Sequence, residues 1–395
     1  MLYSHSTSDI VGLQDLNINK VEQNDNSITI YAQLPRKPHS CPQCGNTTNK
    51  IHDYRCQKIK DIPAFGKMTC IMLRKRRYVC NECNKRFCEN VPFLPKYHRM
   101  TNRLSAFIIN KLHEVSSFSS VAREVKVSVS TVIRVFDIVS YPSPKTLPKA
   151  LAIDEFKGNT GHHKYQCILT DPESHKVLDI LFDRTQPFLI KYLKQWTPAE
   201  RENVQFFISD MWQQYTDIAL AFFKESTQII DRYHFIRQML WAFDKVRKRI
   251  QKKCSKKYRL LFKHSKRLLY KRASKLKDYE KEQINAMLYL SDELRTAYYL
   301  KESFYKVVDA KDRTEAKELM SQWITDAENS RLQEYTSCAK TLINWQKGIL
   351  SSFDYEYTNG FTEGCNNKIK VLKRNAYGYR NFRRFRNRIL HIFNN

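Results

Sequence analysis

Two short cysteine pairs constrain the N-terminal part of this chain more than any other feature of its sequence. Cys41 and Cys44 are separated by two residues, and Cys80 and Cys83 repeat that spacing. A turn of this kind directs two thiolates toward one point, so two such turns complete the tetrahedral ligand set of Zn²⁺. Four protein ligands leave no open coordination position. The spacing therefore predicts a structural zinc site.

Other residues nearby leave the ligand set open to alternatives. His39 and His52 could each replace a thiolate. Three further cysteines in this stretch are surplus to a four-ligand site: Cys56, Cys70 and Cys88. Buried thiols without metal are the ordinary alternative, but paired turns of this spacing rarely arise by chance. We interpret residues 1–95 as a zinc-binding module with a β-hairpin over 69–79.

The balance of charge indicates an anionic partner. The chain has 68 Lys and Arg against 40 Asp and Glu, a formal net charge of +28. Such an excess favours nucleic acid, with an anionic membrane surface as the alternative. The sequence contains no apolar run of about 18 residues, no signal-peptide arrangement and no glycine-rich nucleotide-binding motif. We expect a soluble intracellular protein without a membrane partner.

Residues 117–136 have the pattern of a helix-turn-helix. Ser128 is suited to cap the second helix. The exposed side chains of that helix, which would enter the major groove of DNA, are Ser130, Thr131 and Arg134. An ordinary helical hairpin is the alternative, but the neighbouring zinc module and the basic charge favour DNA binding. We interpret 96–140 as a helix-turn-helix region and the proline-rich segment 141–149 as a linker.

Past the linker, strands alternate with helices. The sequence predicts strands at 150–156, 164–170, 176–183, 204–209 and 227–231, and helices near 187–196 and 213–224. From about 233 to 350 the pattern is helical, which is more chain than a compact α/β core needs. We predict an α/β core in two parts, 150–235 and 353–395, interrupted by a helical insertion at 236–352. The second part ends in a basic C-terminal tail.

Three carboxylates in this region support an enzymatic hypothesis. Asp154 and Asp210 each end an apolar run, and Glu363 lies at the start of a helix with a basic face. Carboxylate oxygens suit Mg²⁺, and two such ions can hold both the attacking and the leaving oxygen of a phosphoryl transfer. Glu155 alternates to the opposite face of its strand. Because a lone strand-end aspartate is usually a turn or cap residue, spacing alone leaves competitors: Asp171, Asp179, Asp183 and Asp231.

Asp231 and His234 form a separate pair at the start of a helix that follows a strand. The ordinary interpretation is a helix cap beside an aromatic residue. The functional interpretation is an Asp/His pair that supports the metal ligands or faces DNA. Both residues are secondary candidates.

Basic residues interleaved with aromatic ones recur in the helical insertion and near the C-terminus. Basic groups neutralise phosphates, and aromatic rings stack on unpaired bases. A solvated helix face is the alternative for any single stretch. The candidate DNA contacts are Lys245, Arg247, Lys248, Arg249, Lys368, Lys370, Lys373, Arg374, Arg383 and Arg384.

The order of these motifs resembles the ISL3 family of bacterial insertion-sequence transposases, over nearly the full length. The matching segments are Cys41-Pro-x-Cys44-Gly with Cys80-x-x-Cys83, Ile153-Asp154-Glu155, Ser209-Asp210-Met211, Asp231-Arg-Tyr-His234, and Thr358-Asn-Gly-x-Thr-Glu363-Gly-x-Asn-Asn-Lys-Ile-Lys-x-Leu-Lys-Arg374. The last of these is the most specific. Tyr233, where Phe is commoner, and Cys365 depart from the pattern without removing a metal ligand.

This resemblance implies an RNase H-like catalytic domain whose DDE triad is Asp154, Asp210 and Glu363. It implies a cut-and-paste DNA transposase that binds terminal inverted repeats, cleaves the element ends with Mg²⁺ (for which Mn²⁺ can substitute) and transfers them to target DNA. Its partner is double-stranded DNA, on which it acts as a homodimer or higher oligomer. The alternatives are a transposase-derived DNA-binding regulator and a structure-specific nuclease without strand transfer.

Overall fold

The computed structural model describes residue 12 and residues 16–161, 163–262 and 265–394. The other positions of the predicted segments, including the first residues of the module at 1–95 and the last of the tail at 353–395, lie outside the described residues. The chain forms two compact units. One contains the described residues up to Tyr141 with Val371–Gly378, and the other contains Pro142–Lys370 with Tyr379–Asn394.

A five-stranded sheet organises the first unit. Its strands are β1 (Asn17–Gln23), β2 (Ser27–Gln33), β5 (Ile51–Ala64), β6 (Lys67–Val79) and β7 (Arg86–Cys88), and β3 (His39–Ser40) pairs separately with β4 (Thr47–Thr48). The order is β1-β2-β6-β5, with β7 also paired to β6. Along β2, Ile28, Ile30 and Ala32 alternate into the core, as one buried sheet face requires.

The hairpin of this sheet is longer than the sequence indicated. It consists of β5 and β6, joined by Phe65 and Gly66. Both residues have positive φ, 53° and 73°, as a two-residue type I′ turn demands. The predicted hairpin over 69–79 was wrong in extent, because Thr69 already pairs with Asp61 across the ladder. The segment 69–79 forms only part of its second strand.

Three short helices complete the first unit: α1 (Asn102–Lys111), α2 (Phe118–Glu124) and α3 (Val129–Phe136). The Ser128 hydroxyl accepts a hydrogen bond from the Thr131 N–H at 3.2 Å, which confirms the predicted cap of α3. Ser117 caps α2 in the same way. Their shared core includes Leu104, Val121 and Val132.

A mixed sheet organises the second unit. Its strands are β8 (Ala150–Phe156), β9 (Gln166–Asp171), β10 (Lys176–Leu181), β11 (Phe206–Ser209) and β12 (Thr227–Ile230). The order is β10-β9-β8-β11-β12, in which β8, β11 and β12 are parallel and the other pairs are antiparallel. All five predicted strands are confirmed. Three sequential antiparallel strands beside two parallel ones make the mixed sheet of the predicted RNase H-like core.

Helices pack around this sheet: α4 (Gln186–Leu193), α5 (Pro198–Arg201), α6 (Gln213–Phe222), α15 (Gly360–Asn375) and α16 (Phe382–Phe393). One face of the sheet buries Leu151 and Phe207 against Tyr215 of α6. On α16, Phe385 contacts Phe156 of β8 edge to face, with ring centroids 6.1 Å apart. Helices therefore supply the apolar surface that a twisted sheet needs to cover its faces.

The region between β12 and α15 is helical. It consists of α7 (Arg232–Lys253), α8 (Lys256–Phe262), α9 (Lys266–Tyr270), a 3₁₀ turn (Ala273–Lys275), α10 (Asp278–Tyr289), α11 (Asp292–Val308), α12 (Arg313–Asn329), α13 (Gln333–Asn344) and α14 (Gln346–Asp354). The predicted limits of the insertion, 236 and 352, therefore fall inside its first and last helices. A Cβ on Gly348 would lie 2.8 Å from Ile230, so glycine allows α14 to pack closely on β12. Within the described ranges, no helix combines the length and apolar character needed to cross a bilayer.

Candidate functional site

Asp154 lies on β8, and Asp210 directly follows the last residue of the neighbouring parallel strand β11, at the same level. Ala152 of β8 pairs with Ile208 of β11, and each aspartate follows its paired residue by two positions. Since side chains two positions apart share a face of a strand, both carboxylates are directed to one face at one edge of the sheet. The structure thus brings together two of the three predicted carboxylates.

Asp154 is a buried carboxyl group, 8% exposed. Burial raises its pKa to about 7, and the negative charges of Asp210, Glu155 and Glu363 act in the same direction. The Asn366 side-chain N–H donates to its Oδ2 at 2.8 Å. Because repulsion between like charges costs free energy, the group gains stability from binding a proton or a cation.

Asp210 also has a raised pKa. Burial raises its pKa to about 6, and the charge of Glu155 is the next contribution. Its Oδ1 is buried and has no hydrogen-bond partner among the described residues. A buried oxygen without a partner is costly, and a divalent cation is a chemically suitable partner for it.

Glu363 lies in the first turn of α15. The neighbouring Thr362 hydroxyl is 2.8 Å from the hydroxyl of Thr170 on β9, which fixes this end of the helix to the sheet. Burial raises the pKa of Glu363, and the charge of Asp231 raises it further. The charge of Glu363 in turn raises the pKa of Asp154, so Glu363 lies close enough to interact with Asp154 as well as with Asp231.

Asp231 and His234 lie beside Glu363. Ligand atoms of these three residues are all within 4.8 Å of one another. Asp231 is also the cap of α7, because it accepts from the Tyr233 N–H at 3.2 Å, and it accepts from the Asn359 N–H at 3.1 Å. The helix-cap interpretation is thus confirmed, and the structure adds that the cap faces Glu363.

His234 is buried and neutral. Burial, and then the nearby Arg237, lower its pKa to about 4. An Arg237 N–H donates to Nδ1 at 2.9 Å, so the proton of the neutral ring is on Nε2. Nε2 is buried without a partner among the described residues. His234 can therefore donate a hydrogen bond to an oxygen that enters the site.

The remaining acidic residues of this region have structural partners. Arg184 donates to Glu155 at 2.6 Å. Asp171 accepts from the N–H groups of its own turn, Asp179 accepts from Arg386 and Tyr192, and Asp183 accepts from Thr185. These partners account for the competing aspartates as turn and packing residues.

The four predicted cysteines converge. The sulfur atoms of Cys41 and Cys83 are 3.5 Å apart, those of Cys44 and Cys80 are 3.4 Å apart, and all four lie within 4.8 Å of one another. Zn–S bonds of about 2.3 Å in a tetrahedron need sulfur separations of this size. The four thiolates therefore fit a structural Zn²⁺ ion.

The alternative ligands do not join this group. His39 packs against Tyr78, with ring centroids 4.7 Å apart. The His52 Nδ1 is 3.3 Å from the Asp53 carboxylate. The surplus cysteines are also outside the group of four, with Cys56 and Cys88 exposed and Cys70 buried in the sheet.

The candidate DNA contacts differ in accessibility. On α3, Ser130 and Arg134 are exposed and Thr131 is half-buried. The exposed candidates on the helices of the second unit and near the C-terminus are Lys245, Lys248, Lys368, Lys370, Arg374 and Arg383, while Lys373 and Arg384 are half-buried.

Two of the basic candidates are engaged within the helical region. Arg247 is 6% exposed and its guanidinium contacts Asp244 and Gln251. It is not accessible to DNA in this conformation, so that prediction is wrong. Arg249 is paired with Glu334 at 2.8 Å and also with Glu293, so its charge is neutralised locally. The partners of Arg249 come from other helices, which helix periodicity does not show. Arg247 instead shares the buried face of α7 with Phe243 and Ile250, at helical spacing.

Sequence reasoning missed two residues of the site, Asn366 and Arg237. Asn366 is three positions after Glu363, which places both on one face of α15. Arg237 is three positions after His234 on α7. The helical spacing from a named candidate was the available signal in both cases.

Comparison with protein families adds the decisive observation. A family model for the DDE transposase domain of ISL3 elements, described as a transposase, matches residues 151–389. The chain belongs to the ISL3 family of transposases. A model for the zinc-finger of transposases IS204, IS1001, IS1096 and IS1165 matches 37–83, and one for the helix-turn-helix domain of this family matches 89–137.

Individual relatives agree with this assignment. The transposase for IS1001 of Bordetella parapertussis is 26% identical over 380 residues, which cover 93% of each chain. The transposase for IS1557 of Mycobacterium tuberculosis is 32% identical over 87 residues, 22% of this chain and 19% of that protein. A Lactococcus lactis protein named ATP-dependent protease is 34% identical over 111 residues, 28% of this chain and 34% of its own length.

Proposed function

We propose that this ISL3 transposase binds the terminal inverted repeats of an insertion sequence, cleaves the element ends and joins them to target DNA. The observation that carries the proposal is the position of Asp154 on β8 and of Asp210 at the end of the neighbouring parallel strand β11, with pKa values raised to about 7 and about 6. A site that keeps a buried and a half-buried carboxyl group close together gains from a bound cation.

We assign Asp154, Asp210 and Glu363 as the catalytic residues that hold Mg²⁺, with Mn²⁺ as a substitute. Bound there, the metal would polarise the phosphodiester and lower the pKa of a water molecule. Asn366 orients Asp154 through the 2.8 Å hydrogen bond, and Arg184 balances the charge of Glu155. His234, with its Nε2 proton directed at no described partner, is suited to donate to a phosphate oxygen.

The other parts have distinct tasks in this proposal. Zn²⁺ on Cys41, Cys44, Cys80 and Cys83 stabilises the first unit, and α3 reads the terminal repeat in the major groove. Exposed basic residues contact the phosphates of repeat and target DNA. We expect a homodimer or higher oligomer on DNA, since an element has two ends, and a place at the bacterial nucleoid in the cytoplasm.

The test uses the purified full chain with a labelled duplex that carries one element end, supercoiled target plasmid and Mg²⁺. We expect metal-dependent release of a 3′-hydroxyl end, followed by joined product. Cleavage without joining would indicate a structure-specific nuclease instead. Binding to the repeat without any cleavage would indicate a DNA-binding regulator. The Asp154→Asn variant is the control, because it keeps the shape of the site and removes the charge.

A further inference from the structure

A basic groove crosses the first unit between the zinc-bearing sheet and the helix-turn-helix. It has a volume of about 780 Å³, and its walls include strand β5, the segment 97–100 and one face of α3. Lys58 and Lys60 come from β5, Arg99 from the connecting segment, and Thr131 and Arg134 from α3. The groove thus joins side chains of two regions that family models describe separately.

Main-chain hydrogen bonds hold the two walls together. The Lys60 N–H donates to the Arg99 carbonyl at 2.9 Å, and the Thr101 N–H donates to the Lys60 carbonyl at 3.0 Å. Lys60 also donates its ammonium group to the carbonyl of Lys126, in the turn between α2 and α3, at 3.1 Å. Hydrogen bonds of Lys60 therefore connect β5 both to the segment 99–101 and to the turn that precedes α3.

A buried acidic residue strengthens this connection. Asp61 of β5 is 2% exposed and accepts from the Thr101 hydroxyl at 2.7 Å. It also accepts from Arg103 Nε at 2.7 Å. Thr101 caps α1, so one carboxylate links the sheet to the first helix of the helix-turn-helix region. The groove is a built feature of the fold, with walls fixed by hydrogen bonds.

The charge of the groove specifies its partner. Among the described residues, four Lys or Arg side chains line it, those of Lys58, Lys60, Arg99 and Arg134, and no acidic side chain does. Lys58, Arg99 and Arg134 are exposed. A set of cations without anions attracts a polyanion.

Two exposed apolar side chains complete the surface. Tyr97 is 89% exposed and Ile138 is 73% exposed, and both line the groove. Exposed apolar groups that lie together with cations in one groove suit a partner with both charged and less polar parts. The DNA backbone alternates charged phosphates with less polar sugars, so it can satisfy both kinds of side chain.

The location beside α3 indicates which part of DNA reaches the groove. The major groove is about 12 Å wide, so a helix inserted in it has sugar-phosphate backbone on both sides. We propose that this groove clamps the DNA backbone that flanks the major groove read by α3, with Lys58 and Arg99 as phosphate contacts. The zinc-bearing sheet and the helix-turn-helix then bind one continuous stretch of duplex as a single rigid surface. This inference rests on the proposed role of α3.

The test compares DNA binding by the full chain and by the Lys58→Gln/Arg99→Gln variant on terminal-repeat and random duplexes, over a range of salt. Each lost phosphate contact reduces the slope of log affinity against log salt by about one. For the double variant, we expect the slope of log affinity against log salt to be smaller in magnitude than that of the wild type by about two. Its preference for the repeat over the random duplex should remain near that of the wild type, since phosphate contacts carry no sequence information.

Matched variants distinguish the loss of phosphate contacts in the groove from a general effect of lower positive charge. Lys50→Gln/Lys85→Gln removes two exposed lysines of the same unit that do not line the groove, and it should leave most of the slope intact. Arg134→Ala should instead reduce the preference for the repeat. An unchanged slope in Lys58→Gln/Arg99→Gln would refute the clamp and leave the groove to another partner, such as an acidic peptide. If the wild type showed no preference for the repeat, the proposed recognition would fail, while the slope on random duplex would still decide the clamp.

Discussion

The zinc site and the carboxylate site, which we propose as a second metal site, differ in how completely the protein satisfies the ligand atoms. The four sulfur atoms of the zinc site lie within 4.8 Å of one another and close a full coordination shell. In the carboxylate site, Asp210 Oδ1 has no hydrogen-bond partner in the described part of the chain, and Asp154 has a pKa raised to about 7. A closed site contributes folding energy, whereas an open site retains electrostatic strain that a metal and a substrate can relieve.

The largest expected effect follows from the closed site. The Cys41→Ser/Cys80→Ser variant should lose zinc and unfold the first unit, because metal binding supplies much of the folding energy of small metal-bound modules. Terminal-repeat binding should be lost with it. The measurement is zinc content per full chain, expected to be about one in the wild type, together with circular dichroism. Full zinc occupancy in this variant would disprove the ligand assignment.

The next effect concerns the open site. Asp154→Asn, Asp210→Asn and Glu363→Gln should each reduce cleavage and strand transfer by on the order of a thousandfold, since electrostatic stabilisation at the reacting centre is lost. Folding and repeat binding should stay near wild type. Band-shift and cleavage assays on the same preparations separate the two properties. Near-normal strand transfer by Glu363→Gln would remove the third ligand from the proposal.

A smaller effect should appear in the stability of the metal-free protein. The pKa of Asp154 is raised by burial from an unfolded value of about 3.9 to about 7 in the fold. The unfolded chain therefore releases this proton first, and stability falls as pH rises between these values. Asp154→Asn should be more stable than the wild type above pH 7 by up to a few kcal/mol, with the difference disappearing below about pH 4. Urea unfolding in EDTA at several pH values measures the stability difference between the variant and the wild type. A difference that does not change with pH would contradict the raised pKa of Asp154.

Asp231→Asn tests whether the cap acts through helix geometry or through charge. Asparagine can still cap α7, so we expect a stable protein with activity reduced by about tenfold, the order found for residues that support metal ligands. The pKa of Glu363 should fall, since the negative charge of Asp231 raises it. Complete inactivity with intact folding would place Asp231 among the metal ligands.

The smallest effect is expected for Glu155→Gln. Glu155 pairs with Arg184 at a part-exposed position, and such pairs contribute little. Strand transfer should stay within about fivefold of the wild type. A loss as large as that of Asp154→Asn would show that Glu155 participates in metal binding.

The N-terminal predictions depended on local spacing, and they succeeded where the ligands or caps were close in sequence. Cys41 and Cys44 are held by one turn, and Ser128 caps its own helix. The hairpin was predicted too short because strand length depends on the partner strand, and β6 pairs with β5 from Ile51 onward. Arg247 was misjudged because its basic side chain was considered apart from the buried face of α7, which it shares with Phe243 and Ile250.

The sequence by itself indicated the four cysteines of the zinc site, with His39 and His52 as alternatives, and the five strands of the second sheet. These follow from periodicity and turn chemistry, which act over a few residues. Only the tertiary structure decided that Asn366 binds Asp154, that Asp231 and His234 face Glu363, and that Lys58 and Arg99 share a groove with Arg134. These partners are far apart in the chain, and their contacts exist because burial of apolar surface brings whole elements together.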